Sequence, residues 1–192
     1  MFTTSAAARR WFSIQAGNAP KTLNVTFLGG GKIAQAMIQG LKQQHDQILP
    51  KVVIRAVDPN EKRLTELRAK GCEAEPELSE KWAHHTDVLI LAVKPQQAGE
   101  ALKGVTKHPL RKTSLVLSVV AGLTLKKITD FHPGTQSLIR AMPNTPATIG
   151  KGITVWISSP ETTPDHFDTT KMILRASKLN DISNKRVLTF ET

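Results

Sequence analysis

The sequence predicts an α/β fold, a doubly wound and mainly parallel sheet with helices on both faces. Three observations carry this expectation. Short β-branched and apolar runs recur at Leu23–Leu28, Val52–Val57, Val88–Val93 and Leu115–Val119. Helical periodicity alternates with them, and the first run ends in a glycine loop that opens directly into such a helix. Strands that are apolar throughout are buried on both faces, which a parallel sheet flanked by helices provides.

Each element has a local reason. Leu23–Leu28 is a buried strand bounded by glycines. Ile33, Met37 and Leu41 recur every four residues, with Ala34 and Ile38 beside them, the mark of a helix. The second strand, Val52–Val57, closes on Asp58-Pro59. Asp58 is expected to cap the next helix, with Pro59 in its first turn and Glu61 opposing the positive end of the dipole. Gly71 ends that helix. Cys72–Ala74 reads as a short strand and Leu78–His85 as a short helix. The segment Ser159–Asp165 reads as a loop, with Asp165 capping a helix that holds Phe167, Met172 and Leu174.

Composition removes several classes of function. A length of 192 residues suits one domain with an appendage, and 40% hydrophobic residues suffice for one core. No apolar run reaches the length of a bilayer, so no membrane span is expected. The single cysteine, Cys72, excludes an internal disulfide framework and a cysteine-based zinc cluster, and is expected to pack as a small hydrophobe. His84 and His85 are adjacent and point in different directions, so no metal site is expected. The formal charge of +10, from 26 Lys plus Arg against 16 Asp plus Glu, suits a phosphate-rich partner. The basic residues are scattered and aromatics scarce, which argues against nucleic acid.

Residues 1–20 differ from the rest. They contain Arg9 and Arg10 and no carboxylate, and are rich in Ser, Thr and Ala. This is the composition of a transit peptide, and Arg10-Trp11-Phe12-Ser13 resembles a mitochondrial processing site. The expected placement is mitochondrial, or cytoplasmic if 1–20 is a disordered extension.

The chemistry enters at Gly29-Gly30-Gly31-Lys32-Ile33-Ala34, between the first strand and its helix. It reads as G-x-G-x-x-A, the dinucleotide fingerprint of a Rossmann-type sheet. Gly29 allows the tight turn. Gly31 lets a pyrophosphate approach the N–H groups of the helix N-terminus, and Ala34 lets the helix pack close to the sheet. Asp58, at the end of the second strand, can accept hydrogen bonds from the adenosine ribose, which suits NADH. Lys62 and Arg63 lie one turn further on and can offset the repulsion of the 2′-phosphate of NADPH, so the cofactor reads as NAD(P)H with a narrow preference for NADH. The chain divides into 1–20, a dinucleotide-binding domain at 21–178, and a divergent segment at 179–192.

Further motifs stand at strand ends: Ala92-Val93-Lys94-Pro95-Gln96, Ala121-Gly122, and Arg140-Ala141-Met142-Pro143-Asn144-Thr145-Pro146. With the glycine loop, these four ordered segments resemble the Δ1-pyrroline-5-carboxylate reductase family, from about Leu23 to about Ala176. The resemblance implies reduction of the cyclic imine 1-pyrroline-5-carboxylate to L-proline, in proline biosynthesis. It implies that Gly29–Ala34 cradle the pyrophosphate and Asp58 faces the ribose. Val93, Lys94 and Pro95 would line the nicotinamide half, with Ala121 and Gly122 behind it, and Met142, Asn144 and Thr145 would face the substrate. None of these motifs offers an obvious proton donor. Met142–Pro146 does not suit a β-hydroxyacid dehydrogenase.

Members of that family continue into a C-terminal helical domain that builds the dimer and holds the substrate carboxylate. The sequence as given ends at Thr192, and it is expected to lack such a segment. A monomer or weak dimer is expected as given, and a homo-oligomer if that domain exists. Two functions therefore stand beside each other: an imine-reducing oxidoreductase, and a catalytically silent NAD(P)-binding remnant.

Overall fold

The computed structural model of the protein describes residues 22–43, 51–135, 137–143 and 154–177. The segments 1–20 and 179–192, and the residues Asn144 and Thr145, lie outside the described residues. The chain runs β1 (Thr22–Leu28), α1 (Lys32–Gln43), β2 (Lys51–Val57), α2 (Glu61–Ala69), β3 (Glu73–Glu75), α3 (Glu80–His85) and β4 (Val88–Leu91). It continues through a 3₁₀ turn (Pro95–Gln97), α4 (Ala98–Lys107), β5 (Leu115–Ser118), α5 (Leu125–Phe131), β6 (Ser137–Pro143), β7 (Thr154–Ser158) and α6 (Pro164–Ala176).

The strands form one sheet in the order β3-β2-β1-β4-β5-β6-β7. Neighbours are parallel from β3 to β6, and β7 returns antiparallel to β6 with Met142 opposite Val155. The order reverses between β1 and β4, so the carboxyl ends of those two strands flank the crevice where open α/β sheets bind ligands. The doubly wound Rossmann architecture read from the sequence is the one observed.

Alternation along each strand divides the core between two faces. Val25, Phe27, Val88, Ile90, Leu115 and Leu117 pack on one side with Met37, Leu41, Leu64 and Ile173, from α1, α2 and α6. Leu28, Leu89, Leu91 and Val116 pack on the other with Trp82, Leu102 and Ile128, from α3, α4 and α5. Strands buried on both sides need no polar alternation, which explains the continuous apolar runs. Cys72 sits in the first of these clusters. Burial pushes its thiol pKa up, against the pull of Lys42 and Lys70, so it packs as a protonated small hydrophobe.

Helix α6 lies directly on α1. A Cβ on Gly40 would stand 2.5 Å from the carbonyl oxygen of Ala176 and 2.6 Å from the Cα of Ser177. Alanine normally favours a helix interior by about 1 kcal/mol over glycine. Here the obstacle is backbone, so Gly40→Ala is expected to destabilise the protein by about 1–3 kcal/mol. A thermal melt would show a lowered midpoint; a raised one would mean that the two helices are not in this contact.

Two helix caps differ from expectation. The N-cap of α2 is Asn60, whose side chain accepts from the Arg63 N–H at 3.1 Å. Asp58 does not cap because its carboxylate turns back to accept from the Gly30 and Asn60 N–H groups. The N-cap of α6 is Thr163 rather than Asp165, in a reciprocal box with His166, and Pro164 presets the first helical φ. Boundaries also move by a few residues: β3 is Glu73–Glu75, α3 begins at Glu80, β4 ends at Leu91 and β5 at Ser118. The shortening of β4 matters, because Ala92 and Val93 leave the strand and face the glycine loop.

Candidate functional site

The loop after β1 is built by contacts that only glycine tolerates at its first position. Gly29 has φ +97°, and a Cβ there would meet the Ala92 carbonyl oxygen at 2.7 Å and Val93 Cγ1 at 2.9 Å. Its N–H donates to the Val57 carbonyl at 2.8 Å, so the turn is pinned to the end of β2 while it presses on the end of β4. The next residue is confined too, since a Cβ on Gly30 would stand 2.7 Å from Leu67 Cδ1. Gly31 is different. The nearest protein atom to a Cβ there is the Ala92 carbonyl oxygen at 4.0 Å, and its φ is ordinary. Protein packing does not require a glycine at this position.

The Gly30 peptide is gripped on both sides. Its N–H donates to Asp58 Oδ2 at 2.8 Å, and its carbonyl accepts from Gln35 Nε2 at 3.1 Å. Gln35 Nε2 also reaches Glu66 Oε2 at 3.1 Å, tying α1 to α2 beneath the loop. Asp58 is 2% exposed. Its Oδ1 accepts from the Asn60 N–H at 2.9 Å, and the Arg63 guanidinium lies 3.3 Å from Oδ1 and 3.1 Å from Oδ2. Both oxygens of this carboxylate are therefore engaged within the protein.

The remaining predicted residues gather along the same carboxyl edge. Lys32 and Ile33 open α1 and are exposed, Ile33 at 43%, while Ala34 is fully buried against the sheet. Val93 is half-buried beside Gly29, and Lys94 and Pro95 are exposed at the start of the 3₁₀ turn. Ala121 and Gly122 are exposed after β5, and a Cβ on Gly122 would meet nothing within 4 Å, although its φ of +70° still favours glycine. Met142 stands exposed near the end of β6, with its sulfur 3.0 Å from the Arg140 guanidinium. A glycine turn that opens a helix N-terminus at the carboxyl ends of the central strands suits the pyrophosphate of a dinucleotide.

Sequence reasoning missed Gln35 and Asn60. Neither had a signal: the partner of Gln35, Glu66, is 31 positions away, and a cap two residues after a better-looking carboxylate is invisible without coordinates. Among the described residues no group of three His, Cys, Asp or Glu side chains could hold a metal ion, and no helix is long and apolar enough to cross a membrane. His84 and His85 are both exposed.

With this geometry in place, residues 24–122 match the family described as NADP oxidoreductase, coenzyme F420-dependent. The chain belongs to that family. Outside the family's own segment the likeness extends further. The chain is 33% identical over 150 residues to pyrroline-5-carboxylate reductase 2 of Bacillus subtilis, covering 78% of this chain and 53% of that protein. A pyrroline-5-carboxylate reductase structure from Coxiella burnetii superposes with a TM-score of 0.72 at 26% identity, over 85% of this chain and 60% of that one. The Plasmodium falciparum enzyme, solved with NADP bound, superposes at 0.67 with 20% identity, over 86% and 58% of the two chains, which shows the shared fold. The chain spans about half the length of the curated relatives it matches.

Proposed function

We propose that the chain binds a nicotinamide dinucleotide and, with it, reduces 1-pyrroline-5-carboxylate to L-proline. The observation that carries the proposal is Gly31 at the start of α1, where an added Cβ would meet no protein atom closer than the Ala92 carbonyl oxygen at 4.0 Å. The likeness to enzymes named pyrroline-5-carboxylate reductase supports the choice of substrate. The dinucleotide-binding domain is taken as 21–178, and the arginine-bearing, acid-free segment 1–20 supports import into mitochondria.

The residues present fit the cofactor, because Gly31 and Gly122 leave space that side chains would fill. Bound there, the cofactor supplies a hydride. The chain's own part is binding and orientation. The N–H groups at the start of α1 bind the pyrophosphate. Ile33 and Val93 offer apolar surface, and Lys94 places a positive charge at the mouth of the crevice. Met142, exposed near the end of β6, is assigned to the substrate side, and the resemblance assigns Asn144 and Thr145, outside the described residues, the same role.

The test is pyrroline-5-carboxylate-dependent oxidation of NADH and NADPH, in parallel, by the full recombinant chain. Turnover with either cofactor is the expected result. The features described at the site are those of dinucleotide binding, which supports a second reading, a dinucleotide-binding module without turnover. A folded chain that binds cofactor but does not consume it would favour that reading and overturn the first.

A further inference from the structure

We propose that a cavity at the amino edge of the sheet, opposite the glycine loop, binds a small hydroxycarboxylic acid, with His132 accepting the ligand's hydroxyl hydrogen. The cavity has a volume of about 240 Å³ and lies between the end of α4, the segment leading into β5 and the segment leading into β6. Both segments enter parallel strands whose opposite, carboxyl ends face the crevice of the glycine loop. The two sites are therefore separate, and this inference does not depend on the proposed function. At about 30 Å³ for each water-sized group the cavity holds about eight of them, far fewer than a dinucleotide would fill.

His132 sets the chemistry. It follows α5, is 6% exposed and lines the cavity. Its Nδ1 lies 3.2 Å from the Thr106 hydroxyl. That hydroxyl donates its one hydrogen to the Leu102 carbonyl, also at 3.2 Å, so it accepts from the ring. The proton is thereby held on Nδ1, and Nε2 keeps a lone pair. Burial pushes the pKa of the ring down, which keeps it neutral. Nε2 has no hydrogen-bond partner among the described residues, and beside it stands Gly134, where an added Cβ would come within 3.6 Å. A buried acceptor left open is costly until a donor reaches it. Among the described residues no third metal-ligating side chain gathers here, so the donor is an O–H or N–H group rather than a metal ion.

The rest of the lining narrows the ligand. Thr135 Oγ1 is buried without a partner, a second polar contact on the same wall. Leu110, Val116 and Pro133 make the remainder apolar, which suits a short carbon chain. Of the two cations on the lining, Arg111 is held by the Thr86 carbonyl and Asp87. Lys112 is exposed and makes no ion pair among the described residues, so it can take a carboxylate. Both cations disfavour an ammonium group, which leaves a hydroxyl as the donor to Nε2.

The experiment is an NMR titration of the nitrogen-labelled full chain at neutral pH with lactate, propionate and lactamide. Lactate is expected to saturate at about millimolar concentration, moving the signals of His132 and Lys112 and leaving those of Gly29–Ala34 in place. Propionate, which lacks the hydroxyl, should bind about 3–10-fold more weakly. Lactamide, which lacks the charge, should bind about 2–5-fold more weakly, the scale of an exposed ion pair. In the free protein the His132 ring should show a pyridine-type Nε2 and a pyrrole-type Nδ1. His132→Asn keeps an N–H toward Thr106 and removes Nε2, so it should bind lactate and propionate alike. Gly134→Ala adds a methyl at ordinary contact distance from the ring; it should fold as the parent does and bind lactate at least about threefold more weakly. Lys112→Gln should bind lactate and lactamide alike. A pyrrole-type Nε2 overturns the proposal, as does equal binding of lactate and propionate by the parent chain. So does movement of the glycine-loop signals in place of those of His132, or a lactate titration that never saturates, which would leave Nε2 to water.

Discussion

Gly31→Ala is expected to fold as the parent chain does and to lose most of its affinity for the dinucleotide. The methyl group would meet no protein atom closer than the Ala92 carbonyl oxygen at 4.0 Å, and the backbone there is in a region any residue adopts. Its effect on stability should therefore stay within about 0.5 kcal/mol, the range of substitutions that disturb no packing. The same methyl would occupy the space through which a pyrophosphate reaches the N–H groups at the start of α1. A loss of about 10–100-fold in cofactor affinity is expected, equivalent to about 1.4–2.8 kcal/mol. Paired melting curves and fluorescence titrations check both halves, and undiminished affinity would mean that the pyrophosphate does not pass over this residue.

Two positions earlier, the same methyl should have the opposite signature. In Gly29→Ala the new carbon would sit 2.7 Å from the Ala92 carbonyl oxygen and 2.9 Å from Ala92 C and Val93 Cγ1, with φ at +97°. The backbone term costs about 1–2 kcal/mol, and forcing atoms into a packed contact about 1–3 kcal/mol more. Against a typical total stability of about 5–15 kcal/mol this is a large share. A midpoint lower by roughly 5–15 °C is expected, together with weaker cofactor binding because the turn that starts α1 has moved. Were the melting curve unchanged, the close approach of the loop to β4 would be refuted. The two alanines separate a glycine kept for the fold from one kept for a ligand.

Much of this was legible in the chain itself. The strands could be read because burial on both faces writes itself as uninterrupted apolar runs, and the glycine loop because turn and helix start adjoin it. Helices α4 and α5 carried weaker marks. Buried residues in α4 are Ala98, Leu102 and Val105 among glycine, threonine and lysine, and α5 buries only Ile128 fully. Such short stretches do not establish a period. The antiparallel course of β7 is a property of its pairing with β6, which no local pattern records. At the site, sequence displays a carboxylate at the end of a strand but not its partners. That Asp58 closes on a peptide N–H 28 positions earlier, and on an arginine one turn later, is decided by how β1 and β2 lie side by side.

The contact of Gly40 with the end of α6 also bears on how the protein comes into being. Strand β7 turns the chain back so that α6 covers α1, although most of the domain lies between them in sequence. A ribosome adding about 5–20 residues per second delivers the second helix roughly 7–27 s after the first. Throughout that interval the strip of α1 around Gly40 lacks its cover, and the outer edge of β6 lacks its neighbour until β7 has emerged. The nascent domain therefore completes itself late, when a helix made more than a hundred residues later is laid over α1.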